Sequence, residues 1–144
     1  MTSGTMPSVI VDTGPLVAFL DATDRNHAWV KNRIAKMRYP LLMCEAVLTE
    51  AMHLLRRLSA AHDELFGLVE DGVLAVTFHL SEHAPTVRAL LRKYRDRPMS
   101  LADACIVRMA EVHEGAAVFT LDTDFTVYRK NGQAPIDLIS PSTS

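Results

Sequence analysis

Short apolar runs alternate with longer amphipathic stretches along this chain. The first run, SVIV at residues 8–11, is followed by four more, at residues 39–44, 73–78, 116–121 and 136–140. Short, continuously apolar runs are typical of strands that are buried on both faces of a parallel sheet. We therefore predict a strand at each of these positions, and the last is expected at an edge of the sheet.

The stretches between these runs have the 3.6-residue apolar repeat of amphipathic helices. In residues 45–58 one stripe of the predicted helix collects Val47, Leu48, Ala51, Leu54, Leu55 and Leu58. Further helices are predicted at residues 14–21, 24–38, 62–72, 81–97 and 100–114, and a turn with a helical piece at residues 122–133. Strands that alternate with helices predict an α/β fold, in which helices cover both faces of a parallel sheet.

Length and composition fit one globular domain. The chain has 144 residues, of which 49% are hydrophobic and 22% are charged, and these values are ordinary for such a domain. We expect a single domain at residues 8–140, a loose N-terminal tail at residues 1–7 and a short C-terminal tail at residues 141–144.

Charge and cysteine usage narrow the classes of function. A formal net charge of −2 excludes a uniformly basic nucleic-acid binder, so RNA binding would need a local basic patch. Cys44 and Cys105 lack the spacing of zinc ligands and are expected to be buried, reduced thiols. No apolar run is long enough to cross a membrane, and no secretory signal opens the sequence. These features predict a cytoplasmic protein without a membrane partner.

Three carboxylates follow predicted strands. Asp12 ends the first strand, and Asp122 and Asp124 come directly after the run at residues 116–121. In open α/β sheets, functional sites lie beyond the carboxyl ends of the strands. Each of these acids can also have a purely local role, because an Asp at the start of a turn or helix accepts backbone N–H groups.

Two further carboxylates border the apolar stripes of predicted helices. Glu50 lies one helical turn from Val47 and Leu54, so its side chain is expected to be angled toward the protein. Asp103 borders the stripe of the helix that Ser100 caps, and Ser100 with Asp103 also fits a capping box. A local role for Glu50 is an ion pair with Arg57 or another cation.

Convergence of these acids would require a cation. Carboxylates that meet at one edge of a sheet repel one another, and burial increases the cost. An all-oxygen set without cysteine or clustered histidine favours Mg²⁺ or Mn²⁺ over Zn²⁺. The residues therefore predict a divalent-cation site formed by Asp12, Glu50, Asp103 and one or both of Asp122 and Asp124.

Four segments, taken in order, resemble the acidic motifs of the PIN-domain ribonucleases, a family that includes the VapC toxins of bacterial toxin–antitoxin pairs. The segments are VIVDTGPLVAFLD, AVLTEA, SLADACIVRMA and VFTLDTDF, and the resemblance spans about residues 8–139. It implies a small central parallel β-sheet flanked by α-helices, an α/β/α sandwich. It also implies Mg²⁺-dependent endonuclease activity on RNA, with Mn²⁺ as a substitute.

The resemblance also implies roles for individual residues. By position, Asp12, Glu50, Asp103 and Asp122 match the family's catalytic acids, and the implied metal ligands are Asp12, Asp103, Asp122 and Asp124. Either Asp122 or Asp124 fits the fourth acidic position, and we favour Asp122 because it follows the strand directly. Thr13 and Thr120 match hydroxyl residues of the first and last motifs, and contact with substrate is expected of both.

A basic segment is the candidate RNA-holding surface. Residues 88–97 read RALLRKYRDR, and Arg92, Lys93 and Arg95 are the candidate substrate contacts. Such a patch can offset the charge of a phosphate backbone despite the negative net charge. The alternative is an ordinary solvated helix face.

The resemblance further implies a homodimer and, for a toxin, a cognate antitoxin whose segment reaches the acidic groove. Two alternatives stay open: a stand-alone RNA-processing nuclease, and a non-catalytic PIN-like module that binds RNA or protein. The full set of acids argues against the second, because a cluster that repels phosphate does not favour simple binding. A haloacid-dehalogenase phosphatase is disfavoured because Gly14 occupies the place of that family's second Asp.

Overall fold

A computed structural model describes residues 6–141 of the chain. The predicted tails lie largely outside the described residues, which include only residues 6–7 of the first and residue 141 of the second. Seven strands occur in the described part of the chain. They are β1 (Val9–Val11), β2 (Leu41–Met43), β3 (Leu74–Val76), β4 (Ala117–Phe119), β5 (Arg129–Lys130), β6 (Ala134–Pro135) and β7 (Leu138–Ile139).

Five of these strands form a parallel sheet in the order β3-β2-β1-β4-β7. Strand β1 lies at its centre, where Ile10 is in register with Leu42 of β2 and with Val118 of β4. All three residues of β1 and of β4 are buried, as the continuous apolar runs predict. Because the strands are parallel, the residues that follow β1 and β4 lie at the same edge of the sheet.

Six α-helices and one 3-10 helix flank the sheet in the described residues. The α-helices are α1 (Thr13–Leu20), α2 (His27–Ile34), α3 (Glu45–Leu54), α4 (Ser59–Glu70), α5 (Leu80–Lys93) and α6 (Leu101–Val112), and the 3-10 helix is Thr123–Thr126. Helix α1 packs against α2 and α3, and α5 packs against α6. The predicted α/β class, with a central parallel sheet between helices, is confirmed.

The predicted helix at residues 45–58 is wrong in its length. Helix α3 ends at Leu54, and the chain turns before α4 begins at Ser59. Leu55 is buried at the turn, but Leu54 is 58% exposed and Leu58 is 41% exposed, although the apolar repeat placed both toward the core. The repeat continued past the real end of the helix because leucines also occupy the turn. The same turn starts α4 three residues before the predicted start at residue 62.

The predicted helix at residues 24–38 is also shorter, because polar side chains hold the first residues in turns. Asp24 accepts a hydrogen bond from the backbone N–H of Asn26 at 2.8 Å, and α2 begins only at His27. At the other end of the chain, the turn predicted over residues 122–133 contains the 3-10 helix and also β5, which pairs with β6 in an antiparallel hairpin. None of the helices in the described part is both long and apolar enough to span a bilayer.

Candidate active site

A pocket of about 720 Å³ opens at the edge of the sheet where β1 and β4 end. Five carboxylates from four separate segments line it, and no lysine or arginine does so among the described residues. The five are Asp12, Glu50, Asp103, Asp122 and Asp124. The pocket therefore brings together every acid that the sequence singles out.

Asp12 is the most deeply held of these carboxylates, with 6% of its surface exposed. It caps the N-terminus of α1, where its Oδ1 accepts the backbone N–H of Thr13 at 2.8 Å, while its Oδ2 accepts the hydroxyl of Thr120 at 2.8 Å. The backbone N–H of Asp12 donates to the carbonyl of Phe119 at 2.9 Å. Asp12 therefore has both roles that the sequence suggested: its side chain caps helix α1, and it also lines the pocket.

Burial raises the pKa of Asp12 from 3.8 to about 6. The hydrogen bonds from Thr120 and Thr13 oppose this rise, and the negative charges of Asp103 and Asp122 add to it. A buried carboxylate beside other carboxylates is costly to ionise unless a cation is present.

Glu50 is connected to the other residues of the site by a hydrogen bond from the hydroxyl of Thr13. Its Oε1 accepts the hydroxyl of Thr13 at 2.7 Å across 37 residues of sequence. The side chain is exposed overall, but its carboxylate is directed to Thr13 and to the pocket, as the predicted angle toward the protein requires. It lines the pocket together with Thr49, His53 and Leu54 of the same helix.

Asp103 is 8% exposed and lies in the first turn of α6. Ser100 and Asp103 form the predicted capping box: Asp103 N–H donates to Ser100 Oγ at 3.0 Å, and Ser100 N–H donates to Asp103 Oδ2 at 3.2 Å. The hydroxyl of Tyr128 also donates to Oδ2, at 3.2 Å. Burial raises the pKa of Asp103, and the charge of Asp122 acts in the same direction, while the hydrogen bonds from Ser100 and Tyr128 oppose the rise.

Asp122 and Asp124 both line the pocket but differ in their surroundings. Asp122 Oδ1 accepts the backbone N–H of Asp124 at 2.8 Å and caps the 3-10 helix. The charge of Asp122 contributes to the raised pKa of both Asp12 and Asp103. Asp124 instead faces Arg97, with Nη1 to Oδ1 at 4.0 Å. This difference favours Asp122 as the fourth acid.

The two threonines expected to touch substrate both donate hydrogen bonds to carboxylates of the site. Thr120 is fully buried, so its hydroxyl contacts Asp12 and leaves no surface for a substrate. Thr13 is also buried and its hydroxyl is directed to Glu50, but it lines the pocket, so its contact with substrate stays a prediction. Both side chains orient carboxylates, and for the fully buried Thr120 this replaces the predicted contact with substrate.

The predicted basic contacts do not line the pocket. Arg92, Lys93 and Arg95 are exposed, and Lys93 Nζ donates to the carbonyl of Gly132 at 2.9 Å. The cation nearest to the acids in this segment is Arg97, which sits beside Asp124 and precedes Pro98 of the pocket wall. Direct binding of RNA by Arg92, Lys93 and Arg95 stays a prediction.

Sequence reasoning missed Tyr128, whose ring is fully buried and whose hydroxyl reaches Asp103. Burial, and then the charge of Asp103, raise the pKa of this hydroxyl, so it remains a donor at neutral pH. The sequence signal that could have indicated Tyr128 is its position four residues after Asp124, close behind the last acidic motif. A buried tyrosine hydroxyl needs a polar partner, but the sequence does not say which.

The donor set fits a hard divalent cation. Carboxylate oxygens without sulfur or clustered imidazole favour Mg²⁺ or Mn²⁺. The pocket offers five carboxylate groups, and no lysine or arginine of the described residues lines it. Within residues 6–141, no three Asp, Glu, His or Cys side chains are gathered closely enough to form a ready metal-binding group. Uncompensated carboxylates repel one another, so a cation would have to draw together side chains that already share the pocket.

Comparisons with known proteins agree with this architecture. The model of the PIN domain family matches residues 9–131. Among solved structures, the fold is similar to that of Mycobacterium tuberculosis VapC20, which is described as a toxin that cleaves the sarcin–ricin loop. The TM-score is 0.75 at 23% sequence identity, over 83% of this chain and 94% of that one. No curated protein matches the chain at a significant level.

Proposed function

The chain belongs to the PIN domain family, and on that premise we propose that it is a Mg²⁺-dependent endoribonuclease that hydrolyses RNA phosphodiester bonds, with Mn²⁺ as a substitute. The observation that carries this proposal is the pocket lined by five carboxylates and by no lysine or arginine of the described chain. A site built only to bind RNA would not present carboxylates to phosphate groups, whereas a cation-assisted nuclease needs them.

In the proposed mechanism, Asp12 and Asp103 hold the cation, and Asp122 completes the set. When bound, the cation stabilises negative charge on the attacked phosphate and makes water a stronger nucleophile. The two hydrogen bonds to Asp12 fix the direction of that carboxylate before substrate arrives. Glu50, which Thr13 orients through Oε1, is assigned to positioning the attacking water.

We further propose a VapC-type toxin that acts on RNA in the cytoplasm, formed by one PIN domain at residues 8–140 and paired in a homodimer. The fold similarity to VapC20, itself described as a sarcin–ricin loop cleaving toxin, supports the toxin assignment. Exposed apolar side chains support a protein partner: Leu54, Leu58 and Phe66 are all at least 41% exposed. Leu54 also lines the acidic pocket, so an antitoxin segment that covers it would also cover the acids.

A cleavage assay tests the nuclease proposal. Purified protein is incubated with a mixed RNA pool that includes a sarcin–ricin loop oligonucleotide, with Mg²⁺ or with a chelator. We expect chelator-sensitive cutting that Asp12→Asn and Asp103→Asn abolish, because both variants remove charge from the cation site. Asp63→Asn is the matched control, because Asp63 is exposed on α4 and lies outside the pocket.

The outcomes separate the candidate functions. Undiminished cutting by folded Asp12→Asn protein would falsify the mechanism. RNA binding without cutting, in Mg²⁺ or Mn²⁺, would instead identify a non-catalytic module.

Co-expression with the product of a neighbouring short reading frame tests the toxin assignment, since an antitoxin should co-purify and suppress cutting. An active nuclease that no neighbouring product inhibits would indicate a stand-alone enzyme.

A further inference from the structure

Tyr128 lies in the core behind the acidic pocket, and the proposed mechanism assigns it no role. Its ring is fully buried. Phe125 packs against it edge to face, with ring centroids 5.2 Å apart at 87°, and Tyr94 does so at 5.1 Å and 66°. Such contacts fix the plane of the ring. The position of the hydroxyl at its tip is therefore set by the core and not by solvent.

The hydroxyl donates to one particular oxygen of Asp103. Tyr128 Oη lies 3.2 Å from Oδ2, and the backbone N–H of Ser100 donates to the same oxygen, also at 3.2 Å. Asp103 Oδ1 receives no hydrogen bond from the described residues. Two donors thus converge on one side of the carboxylate while the other side stays available to the pocket that Asp103 lines.

Packing alone does not account for the hydroxyl. A phenylalanine would provide the same ring for Phe125 and Tyr94, and burying a hydroxyl without a partner costs free energy. Asp103 supplies that partner across 25 residues of sequence, at the one acid of α6 that faces the pocket. The pair thus joins the turn after the last acidic motif to the first turn of α6.

We propose that Tyr128 is a positioning residue, which holds Oδ2 of Asp103 so that Oδ1 is presented to the divalent cation. This inference rests on the proposed function, because it assumes that Asp103 is a cation ligand. Partners behind a ligand orient it, and their removal typically lowers metal affinity by about 10- to 100-fold. Because 3.2 Å is long for a hydroxyl-to-carboxylate hydrogen bond, we expect the lower end of that range.

Calorimetric titration with Mn²⁺ alone, without RNA, tests the proposal. Tyr128→Phe should weaken Mn²⁺ binding by about tenfold, since it removes only the donor to Asp103. Tyr94→Phe is the matched control: its hydroxyl accepts the backbone N–H of Arg129 at 2.9 Å and its ring belongs to the same aromatic cluster. We expect this control to bind Mn²⁺ like the wild type.

Two further measurements distinguish positioning from a general structural effect. The kcat/KM of Tyr128→Phe should fall at low Mg²⁺ and recover toward the wild-type value at high Mg²⁺. Incorporation of p-aminophenylalanine at position 128, which retains a donor on the same ring, should restore Mn²⁺ affinity. If Tyr128→Phe binds Mn²⁺ as tightly as Tyr94→Phe and the wild type, the proposal is wrong.

A measurement on the intact core covers the case in which Tyr128→Phe fails to fold. The chain has three tyrosines, so 3-fluorotyrosine labelling gives three ¹⁹F resonances. The resonance of Tyr128 should move on saturation with Mg²⁺, and one that stays in place overturns the proposal. Asp103→Asn separates the two levels. If that variant still binds Mn²⁺ and cuts RNA as the wild type does, Asp103 is not a cation ligand and the proposal for Tyr128 is wrong. If the wild type itself neither binds a divalent cation nor cuts RNA, the proposed function fails.

Discussion

At the residue scale, Asp12 combines burial, two hydrogen bonds and two neighbouring negative charges. Because the pKa of Asp12 is about 6 in the folded chain and 3.8 is its ordinary value, the folded state binds the proton more tightly than the unfolded state. Between these two pH values the free energy of unfolding therefore falls as pH rises, and the loss is complete above pH 6. The full effect of the shift is about 3 kcal/mol.

The substitution Asp12→Asn should remove this decrease in the free energy of unfolding, because asparagine does not ionise. In chelator, urea unfolding at pH 4 and at pH 7 should show the variant gaining up to about 3 kcal/mol relative to the wild type as pH rises. Asp63→Asn, with its exposed side chain, serves as the control and should show a much smaller relative change. A stability difference between Asp12→Asn and the wild type that is the same at both pH values would contradict the assigned burial cost.

Arg97 is the cation of the basic segment that lies against an acid of the pocket. Its side chain is 45% exposed, so in the proposed ribonuclease it can leave Asp124 and contact a phosphate of RNA. Loss of one phosphate contact to a single strand lowers the slope of log affinity against log salt by about 0.7. We expect that reduction for the RNA affinity of Arg97→Ala, measured by fluorescence anisotropy in chelator.

Arg38→Ala is the control for Arg97→Ala, because Arg38 borders a different pocket, beside Val9 at the start of β1 and so at the opposite edge of the sheet. Its salt slope should equal that of the wild type. The same measurement on Arg95→Ala tests the basic contacts that the sequence suggests. A wild-type slope for Arg97→Ala would show that RNA does not reach this edge of the pocket.

The acids could be predicted from sequence, and their supporting partners could not. Asp12 and Asp122 follow continuous apolar runs, which is a local signal, and the pocket contains both. The bonds from Thr120 to Asp12 and from Tyr128 to Asp103 join positions 108 and 25 residues apart. Nothing local specifies such pairs, because they depend on which strands are neighbours in the sheet.

At the scale of elements, one glycine lies inside α4 and a second lies just beyond its C-terminal end. Gly67 lies inside the helix, and an added Cβ would meet nothing within 4 Å. Gly72 has φ +79° beyond the helix end, where its N–H donates to the carbonyl of Val69 at 3.2 Å and the N–H of Val73 donates to that of Leu68 at 3.0 Å. This pattern is a Schellman motif, which favours glycine, and it confirms the predicted end of the helix.

The same substitution at the two glycines should have opposite effects. Gly67→Ala should raise the free energy of unfolding by roughly 0.5–1 kcal/mol, because glycine is unfavourable inside a helix. Gly72→Ala should lower it by roughly 1–2 kcal/mol, because the left-handed conformation is costly for other residues. Urea unfolding measures both changes, and shifts of the same sign would show that the assigned backbone conformations are wrong.

Helix existence was predictable from the apolar repeat, whereas helix ends depended on other features. The repeat at residues 45–58 gave no sign of the turn after Leu54, because both Leu54 and Leu58 are apolar yet exposed. The hairpin of β5 and β6 had a signal that was overlooked. Asn131 and Gly132 adopt φ +52° and +85° between the two strands, and Asn-Gly is a strong hairpin dipeptide. Strands of two residues are too short to show alternation.

At the scale of the whole molecule, the order of the sheet explains why a chain with net charge −2 can present so acidic a pocket. Strands β1 and β4 are central neighbours, so the segments that follow them open at one edge, and α3 and α6 add one acid each from the flanks. The alternation of apolar runs and helices was enough to predict the parallel class. The strand order was not predictable, because it depends on contacts between distant segments.

The pairing of β1 with β4 also bears on when the protein can act during its own synthesis. The amide of Asp12 is held by Phe119, and its carboxylate by Thr120. Asp12 is therefore translated 108 residues before the threonine that holds its carboxylate. Glu50 and Asp103 also precede β4 in the chain. A fragment that stops short of β4 cannot complete the pocket. For the proposed ribonuclease, this order delays activity until β4 has been translated and has paired with β1.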